Sequence, residues 1–409
     1  MKIGVIADDF TGAGDIGSFL QKNGSKTLLF TEIPSAFSSS ADCAILALKS
    51  RSAEPEEAVR QAKEAAAFLK KAGAERIYFK YCSTFDSTPK GNIGVVLDAL
   101  LEELKLSFTI LCPSLPVNGR TVKDGILFVN GVPLAESPMK DHPLNPMWDS
   151  GIPELMRLQS RHPCFVLKRE DMTFEKVQKR IENYRKIYRK FYLVPDYENE
   201  EDGKKIAHIF QDCYLLSGGS GLAEHLTDFA KTTYIQPLKK QTGEQKALLL
   251  CGSCSRMSGK QIAYYRQKGR AVYGIDSERL IDKSLQAEEV FAFVLAHDNV
   301  LVYTSAAEEM QKRKADTQAF FQASKLMEKL MADLGEMAAE HGFTRIVVAG
   351  GETSGAVALR LGYHAYQIGN SIAPGVPILN PLERPELRLI LKSGNFGGED
   401  FFEKALLEE

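Results

Sequence analysis

Short apolar runs that stop at polar or glycine-rich turns recur along the chain, and most lead into residues with helical spacing of apolar positions. Residues 2–7 (KIGVIA) predict a buried strand that ends at Asp8-Asp9, with FTGAGDIGSFLQKNG following as a helix capped by Thr11 and Gly12 and carrying Asp15 one turn inside. ADCAILALKSRS repeats the pattern, placing Arg51 just past a strand and a helix with Ala and Leu on one face over residues 54–73. Residues 76–88 (RIYFKYCSTFDST) give a strand whose end bears Lys80, Ser83, Thr84, Asp86 and Ser87, then a helix over residues 91–104. FTILCPSLPVNGRTVKDGILFVNGVPL reads as a strand, a crossing in which Arg120 follows the Asn118-Gly119 turn, and a hairpin turning at Asn130-Gly131. Residues 135–150 contain three prolines and no periodicity, which predicts an extended loop. Residues 174–187 form a basic amphipathic helix, and residues 213–226 a further strand, glycine turn and helix.

A mixed-charge linker, residues 236–246, separates this series from a second. ALLLCGSCSRMSGKQI predicts strand, Ser/Gly turn and helix; NVLVYTSAA a strand and Ser/Thr turn; RIVVAGGETSGAVALRLG a strand, glycine pair and helix. Residues 387–392 give a last strand before SGNFGG and a short amphipathic tail. Ile346, Val347 and Val348 suit a strand covered on both faces, and the amides and hydroxyls at Gly350, Gly351, Thr353, Ser354 and Gly355 stand where a helix begins, an arrangement suited to an anion. Strands alternating with helices predict an α/β protein of two domains, residues 1–235 and 236–409, each with a largely parallel sheet flanked by helices. Ligands of such sheets bind beyond the carboxyl ends of the strands, so the active site is expected in the interdomain cleft.

The length of 409 residues fits two cores better than one. A net charge of −2 without long basic blocks implies no nucleic-acid partner, and no apolar stretch is long enough to span a membrane. Seven scattered cysteines suit a reducing compartment, and a cytoplasmic protein is expected. Cys251 and Cys254 form a CxxC that reads as a strand end, since no second ligand pair follows. No Walker A sequence occurs.

Hydroxyls, a lysine and an acid at one strand end suit a polyhydroxylated anionic small molecule. Arg51, Lys80 or Arg120 is the candidate for its carboxylate, and Asp8 or Asp9 for taking a hydroxyl proton, with Asp9 preferred and Asp86 the next candidate. His142 and Asp149, on the proline-rich loop, are weaker proton carriers. Lys392 is placed to neutralise phosphate charge, and the glycines at 394, 397 and 398 admit a nucleotide close to the backbone.

Six strings resemble the four-carbon acid sugar kinase family: IADDFTGA at 6–13, KYCSTFDST at 80–88, LSGGSGLA at 216–223, CGSCS at 251–255, AGGETSGA at 349–356 and KSGNFGG at 392–398. The resemblance spans nearly the whole chain and follows the family's order. It implies an N-terminal acid-sugar-binding domain, a C-terminal nucleotide-binding domain, and ATP-dependent phosphorylation of tetronates or 3-oxo-tetronates at the terminal hydroxyl, with Mg²⁺ bridging the phosphates. Carried over, Gly350, Gly351, Glu352, Thr353, Ser354 and Gly355, together with Gly394, Gly397, Gly398 and Ser253 or Ser255, would hold ATP. The DDFTG turn and Lys80, Ser83, Thr84 and Asp86 would face the sugar acid. The family often reads PGVPW where this chain has PGVPI, ending at Ile378. The partners so implied are a small sugar acid and ATP, with self-association left open. The competing class is a two-domain sugar-acid sensor that binds without chemistry.

Overall fold

The computed structural model describes residues 1–35, 37, 41–141, 146–226, 246–304 and 317–408. By its internal contacts the chain divides into Met1–Ile235 and Gln236–Glu409.

In the first unit, β1 (Ile3–Ala7) leads through α1 (Phe10–Lys22) to β2 (Thr27–Phe30) and β3 (Cys43–Ala47), and α2 (Pro55–Lys71) leads to β4 (Arg76–Lys80). α3 (Ile93–Glu103) follows, then β5 (Phe108–Ile110), the antiparallel strands β6 (Arg120–Lys123), β7 (Ile126–Val129) and β8 (Val132–Pro133), and α4 (Ile152–Arg157). β9 (Cys164–Leu167), α5 (Phe174–Ile187), β10 (Phe191–Pro195), α6 (Glu200–Ile209) and β11 (Leu215–Gly218) complete it. The main sheet runs β11-β4-β1-β3-β2 with every pairing parallel. β1, β2 and β3 are buried throughout, which explains their unbroken apolar sequences. Ala7 is in register with both Ala47 and Lys80, and Lys80 with Gly218, so four strands end level. β1 and β4 are neighbours whose onward connections run to opposite sides, the condition for a ligand crevice between their carboxyl ends. A parallel β5-β10-β9 sheet accompanies the main one.

The second unit contains β12 (Ala247–Cys251), α7 (Arg256–Gln267), β13 (Ala271–Ile275), α8 (Ser277–Ile281), α9 (Ala287–Leu295), β14 (Asn299–Thr304) and α10 (Thr317–Glu340). β15 (Arg345–Ala349), α11 (Gly351–Leu361), β16 (Ala365–Ala373), β17 (Val376–Pro381), β18 (Arg388–Lys392) and α12 (Phe401–Leu407) follow. β18-β15-β12-β14-β13 is parallel, with the β16-β17 hairpin added antiparallel beside β18. Leu249, Val347, Ile390 and Leu301 from the centre of the sheet pack with Tyr265, Phe401 and Phe402 from the helices.

Several expectations change. α1 starts at Phe10 with Asp9 as its cap, in place of Thr11 or Gly12, because the Asp9 carboxylate reaches the Gly12 amide. Residues 135–150, expected to be extended, contain 3-10 turns at Leu134–Glu136 and Pro138–Asp141; proline's fixed φ suits the first position of the second turn. A 3-10 turn at Gly221–His225, not an α-helix, follows β11. His142, the linker before Lys246 and the turn after Thr304 lie outside the described residues. Among the described residues no helix is long and apolar enough to cross a membrane.

Candidate active site

The level strand ends of the first unit gather its charged side chains. Arg51, in the turn after β3, forks onto Asp8 through Nε at 2.9 Å and Nη2 at 2.8 Å, and its Nη1 lies 2.9 Å from Asp9 and 3.9 Å from Asp86. The turn carrying Arg51 is held by Asn92, whose side-chain amide donates to the carbonyls of Ser50 at 2.6 Å and Ala53 at 2.8 Å. Burial pushes the Asp8 carboxyl up while Arg51 pulls it back; burial likewise disfavours the charge on Arg51, but Asp8 and Asp9 hold it protonated. Asp9 keeps part of its surface in solvent, and its Oδ1 accepts from Gly12 N–H at 2.6 Å. Gly12 is hemmed in by Asp9, Lys80 and Arg51, so the chain approaches this cluster through bare backbone.

One turn further along α1, Asp15 is buried, with Lys80 Nζ at 3.3 Å and the Ser220 hydroxyl donating at 2.8 Å to the same oxygen, Oδ2. Its Oδ1 is buried without a hydrogen-bond partner among the described residues. Burial pushes this carboxyl above its ordinary value against the pull of Lys80 and Ser220. Lys80 also donates to the Tyr81 carbonyl at 2.9 Å. Arg120 donates to the Asn118 carbonyl, but its Nε is buried without a hydrogen-bond partner among the described residues, and Asp15 and Cys82 lie within electrostatic reach of its guanidinium. Opposite charges with unused hydrogen-bonding capacity in one buried region are suited to a polar, anionic ligand. Ser83 and Thr84 are buried on the same strand end.

In the second unit β12, β15 and β18 end side by side, Cys251 level with Ala349 and Ala349 with Lys392. Gly350, at φ +121°, makes the turn into α11. Thr353 and Ser354 are buried, Thr353 against Gly252, so the helix start offers its backbone outward and not these hydroxyls. Glu352 is exposed, and among the described residues no atom beyond the helix's own backbone and the chain neighbours lies within 4 Å of a β-carbon built at Gly351 or Gly355, leaving an open strip along the start of α11. Ser255 caps α7 through the Ser258 amide at 3.1 Å and donates to the Gly394 carbonyl at 2.7 Å, while the Ser253 hydroxyl accepts from the Ser255 amide at 3.2 Å. A side chain at Gly394 would collide with Ser253, and one at Gly397 with Phe401; Gly398 adjoins Asp400. Lys392 is fully buried, and burial lowers its ammonium to about 8. An open strip at a helix N-terminus beside a glycine loop and a lysine fits a polyphosphate. Among the described residues no group of three or more His, Cys, Asp or Glu side chains is placed to hold a metal ion.

A family described as "Sugar-binding N-terminal domain" matches residues 3–226 and one described as "Nucleotide-binding C-terminal domain" matches residues 248–402. A Salmonella typhimurium protein named 3-oxo-tetronate kinase is 42% identical, covering 100% of this chain and 99% of its own length. The chain belongs to the four-carbon acid sugar kinase family. An Escherichia coli 3-oxo-tetronate kinase is 40% identical over 91% of this chain and 99% of its own. A crystal structure from Salmonella typhimurium described as a putative tRNA synthase matches with a TM-score of 0.86 at 41% identity, covering 99% and 98% of the two chains. Haemophilus influenzae protein HI1011 matches with 0.77 at 39%, covering 99% of each. Where the kinase family often carries an aromatic after PGVP, Ile378 of this chain is buried in the core of its unit.

The structure thus gathers Asp8, Asp9, Arg51 and Asp86 in one set and Lys80 with Asp15 beside it, and the Asp149 carboxylate accepts from the Gly151 amide at 2.6 Å. Asp15, Ser220 and Asn92 were not singled out as site residues from sequence. The available signal was Asp15 lying among Gly14, Ile16 and Gly17, a setting too apolar for a solvated acid.

Proposed function

We propose that this kinase transfers the γ-phosphoryl group of ATP to the terminal hydroxyl of a four-carbon acid sugar, a 3-oxo-tetronate before threonate or erythronate. The names of its full-length relatives support the substrate class. The observation that carries the reading is the pair of buried atoms of opposite charge, Arg120 Nε and Asp15 Oδ1, each without a hydrogen-bond partner among the described residues, with Asp15 in electrostatic reach of the Arg120 guanidinium. A small acid bearing hydroxyls supplies a partner to both.

In this reading Arg120 and Lys80 hold the substrate carboxylate, while Ser83, Thr84 and Asp86 contact its oxygens. Asp9 takes the proton of the attacking hydroxyl as the new O–P bond forms and the bond from the γ-phosphorus to the bridging oxygen of ADP breaks. The Gly12 amide and Arg51 fix the Asp9 carboxylate, and the Asp8–Arg51 fork fixes Arg51. Gly350 to Gly355 and Gly394 to Gly398 receive the phosphates, Ser253 and Ser255 shape that loop, and Lys392 adds charge beneath it. Mg²⁺ supplies charge neutralisation on the phosphates of the bound nucleotide.

An ADP-release assay over threonate, erythronate and their 3-oxo forms tests this. Turnover with at least one of them supports the kinase. Binding of a tetronate with no ADP release makes the protein a sugar-acid sensor instead.

A further inference from the structure

The SGNFGG loop after β18 is polarised. Its carbonyls are tied down from beneath: the Gly394 oxygen receives Ser255 Oγ at 2.7 Å, Ser258 Oγ at 3.0 Å and Lys392 Nζ at 2.9 Å. Gln261, fully buried on α7, points its Nε2 at three successive carbonyls, Phe396 at 3.1 Å, Gly397 at 3.3 Å and Gly398 at 2.9 Å. The amides behave oppositely. That of Phe396 donates to the Ser393 carbonyl, whereas those of Gly394, Asn395, Gly397 and Gly398 have no hydrogen-bond partner among the described residues.

A glycine loop can turn either its carbonyls or its amides toward a ligand, since glycine accepts both peptide orientations. Carbonyl dipoles directed at a polyphosphate repel it; amide dipoles attract it, and successive free N–H groups make an anion-binding concavity. The orientation must therefore be imposed by whatever grips the other side. We infer that Gln261 is a positioning residue for nucleotide binding, holding the carbonyls of Phe396, Gly397 and Gly398 inward so that the free amides of the loop face the phosphates, with Ser258 doing the same at Gly394. This rests on the reading of the second unit as the ATP-binding one. Neither residue touches the nucleotide in this account. Gln261 is an unpromising member of a helix that the sequence pattern presents as half polar, and one of its own groups, Oε1, is buried without a hydrogen-bond partner among the described residues while Nε2 stays on the loop. Leaving a buried acceptor unmatched is costly, so the donor side is where the residue contributes.

The test is steady-state kinetics and calorimetry on the full chain with Gln261→Met, which keeps side-chain length and removes both donors. The Michaelis constant for ATP should rise by about ten-fold or more, and that for the sugar acid should hold within about two-fold. Calorimetric affinity for ADP should fall while affinity for adenosine, which lacks phosphates, does not. Ser258→Ala, a smaller truncation, should raise the ATP constant by about three-fold and decides the matter if the methionine variant does not fold. A folded Gln261→Met with wild-type ATP kinetics overturns the inference, as does equal weakening of ADP and adenosine, which would mark a general packing role. Wild-type protein that binds no ATP overturns the assignment of the unit as well, so the two failures are distinguishable.

Discussion

Arg51 and Arg120 belong to the same unit and carry the same formal charge, yet their removal should have opposite effects on stability. Arg51 is committed inside the protein: it forks onto Asp8, whose side chain is only 6% exposed, and also meets Asp9. Arg51→Met leaves Asp8 buried without its cation, a change that costs about 3–5 kcal/mol. For a unit of this size that corresponds to a fall in Tm of roughly 6–20 °C. Arg120 has its buried Nε without a hydrogen-bond partner among the described residues, and burial disfavours its charge. Arg120→Met removes an unsatisfied group, so the Tm of the free protein should hold or rise. The loss appears on binding, where charge-assisted hydrogen bonds contribute about 1.5–3 kcal/mol, so the Michaelis constant for the sugar acid should rise by about 10–150-fold. Thermal unfolding at one fixed pH and initial-rate kinetics on both variants measure this. An Arg120→Met protein as destabilised as Arg51→Met, or one with a wild-type Michaelis constant, would refute the assignment of Arg120 to the ligand.

Three other perturbations follow from the same geometry. Asp9→Asn should lower turnover by about 10²–10⁴-fold with sugar-acid binding largely kept, whereas Asp8→Asn should act through Arg51 and chiefly lower stability; equal wild-type turnover in both moves the base to Asp86. The Lys392 ammonium, lowered by burial to about 8, carries its charge below that pH and loses it above, so log(kcat/KM) for ATP should decline on the alkaline side of about 8. Its titratable neighbour Cys251 is itself pushed up by burial, and Lys392→Met should lack that limb; an unchanged pH profile in the variant contradicts the role. Gly351→Val adds a side chain where, among the described residues, no atom beyond its own helix and chain neighbours lies within 4 Å of the β-carbon, so it should fold and weaken ATP binding without touching tetronate binding, which calorimetry with each ligand reads directly.

Much of the fold was legible because buried parallel strands announce themselves: VIA before Asp8-Asp9 and IVVA before Gly350 are continuous apolar runs cut off by a turn. The Asn130-Gly131 hairpin was equally plain, and Val129 pairs with Val132 across it. What sequence does not carry is the lateral order of strands. Arg51 meets Asp8 only because β3 is the neighbour of β1, and Lys80 meets Asp15 only because β4 flanks β1 on its other side. Asp15 was passed over as a site residue for a different reason: an acid inside a helix normally faces water, and only the packing of Ser220 and Lys80 around α1 buries it. The caps behave similarly. Ser255, expected at the nucleotide, is held by a helix start and a carbonyl, a choice between local and ligand hydrogen bonds that a hydroxyl's position in the sequence cannot announce.

The most direct test of the central claim is to follow the reaction of ATP with a 3-oxo-tetronate by ³¹P NMR and to locate the new phosphate. ADP should appear together with a phosphate monoester whose phosphorus couples to the two protons of the terminal carbon. ADP with free inorganic phosphate alone, or an ester at any other carbon, would contradict it.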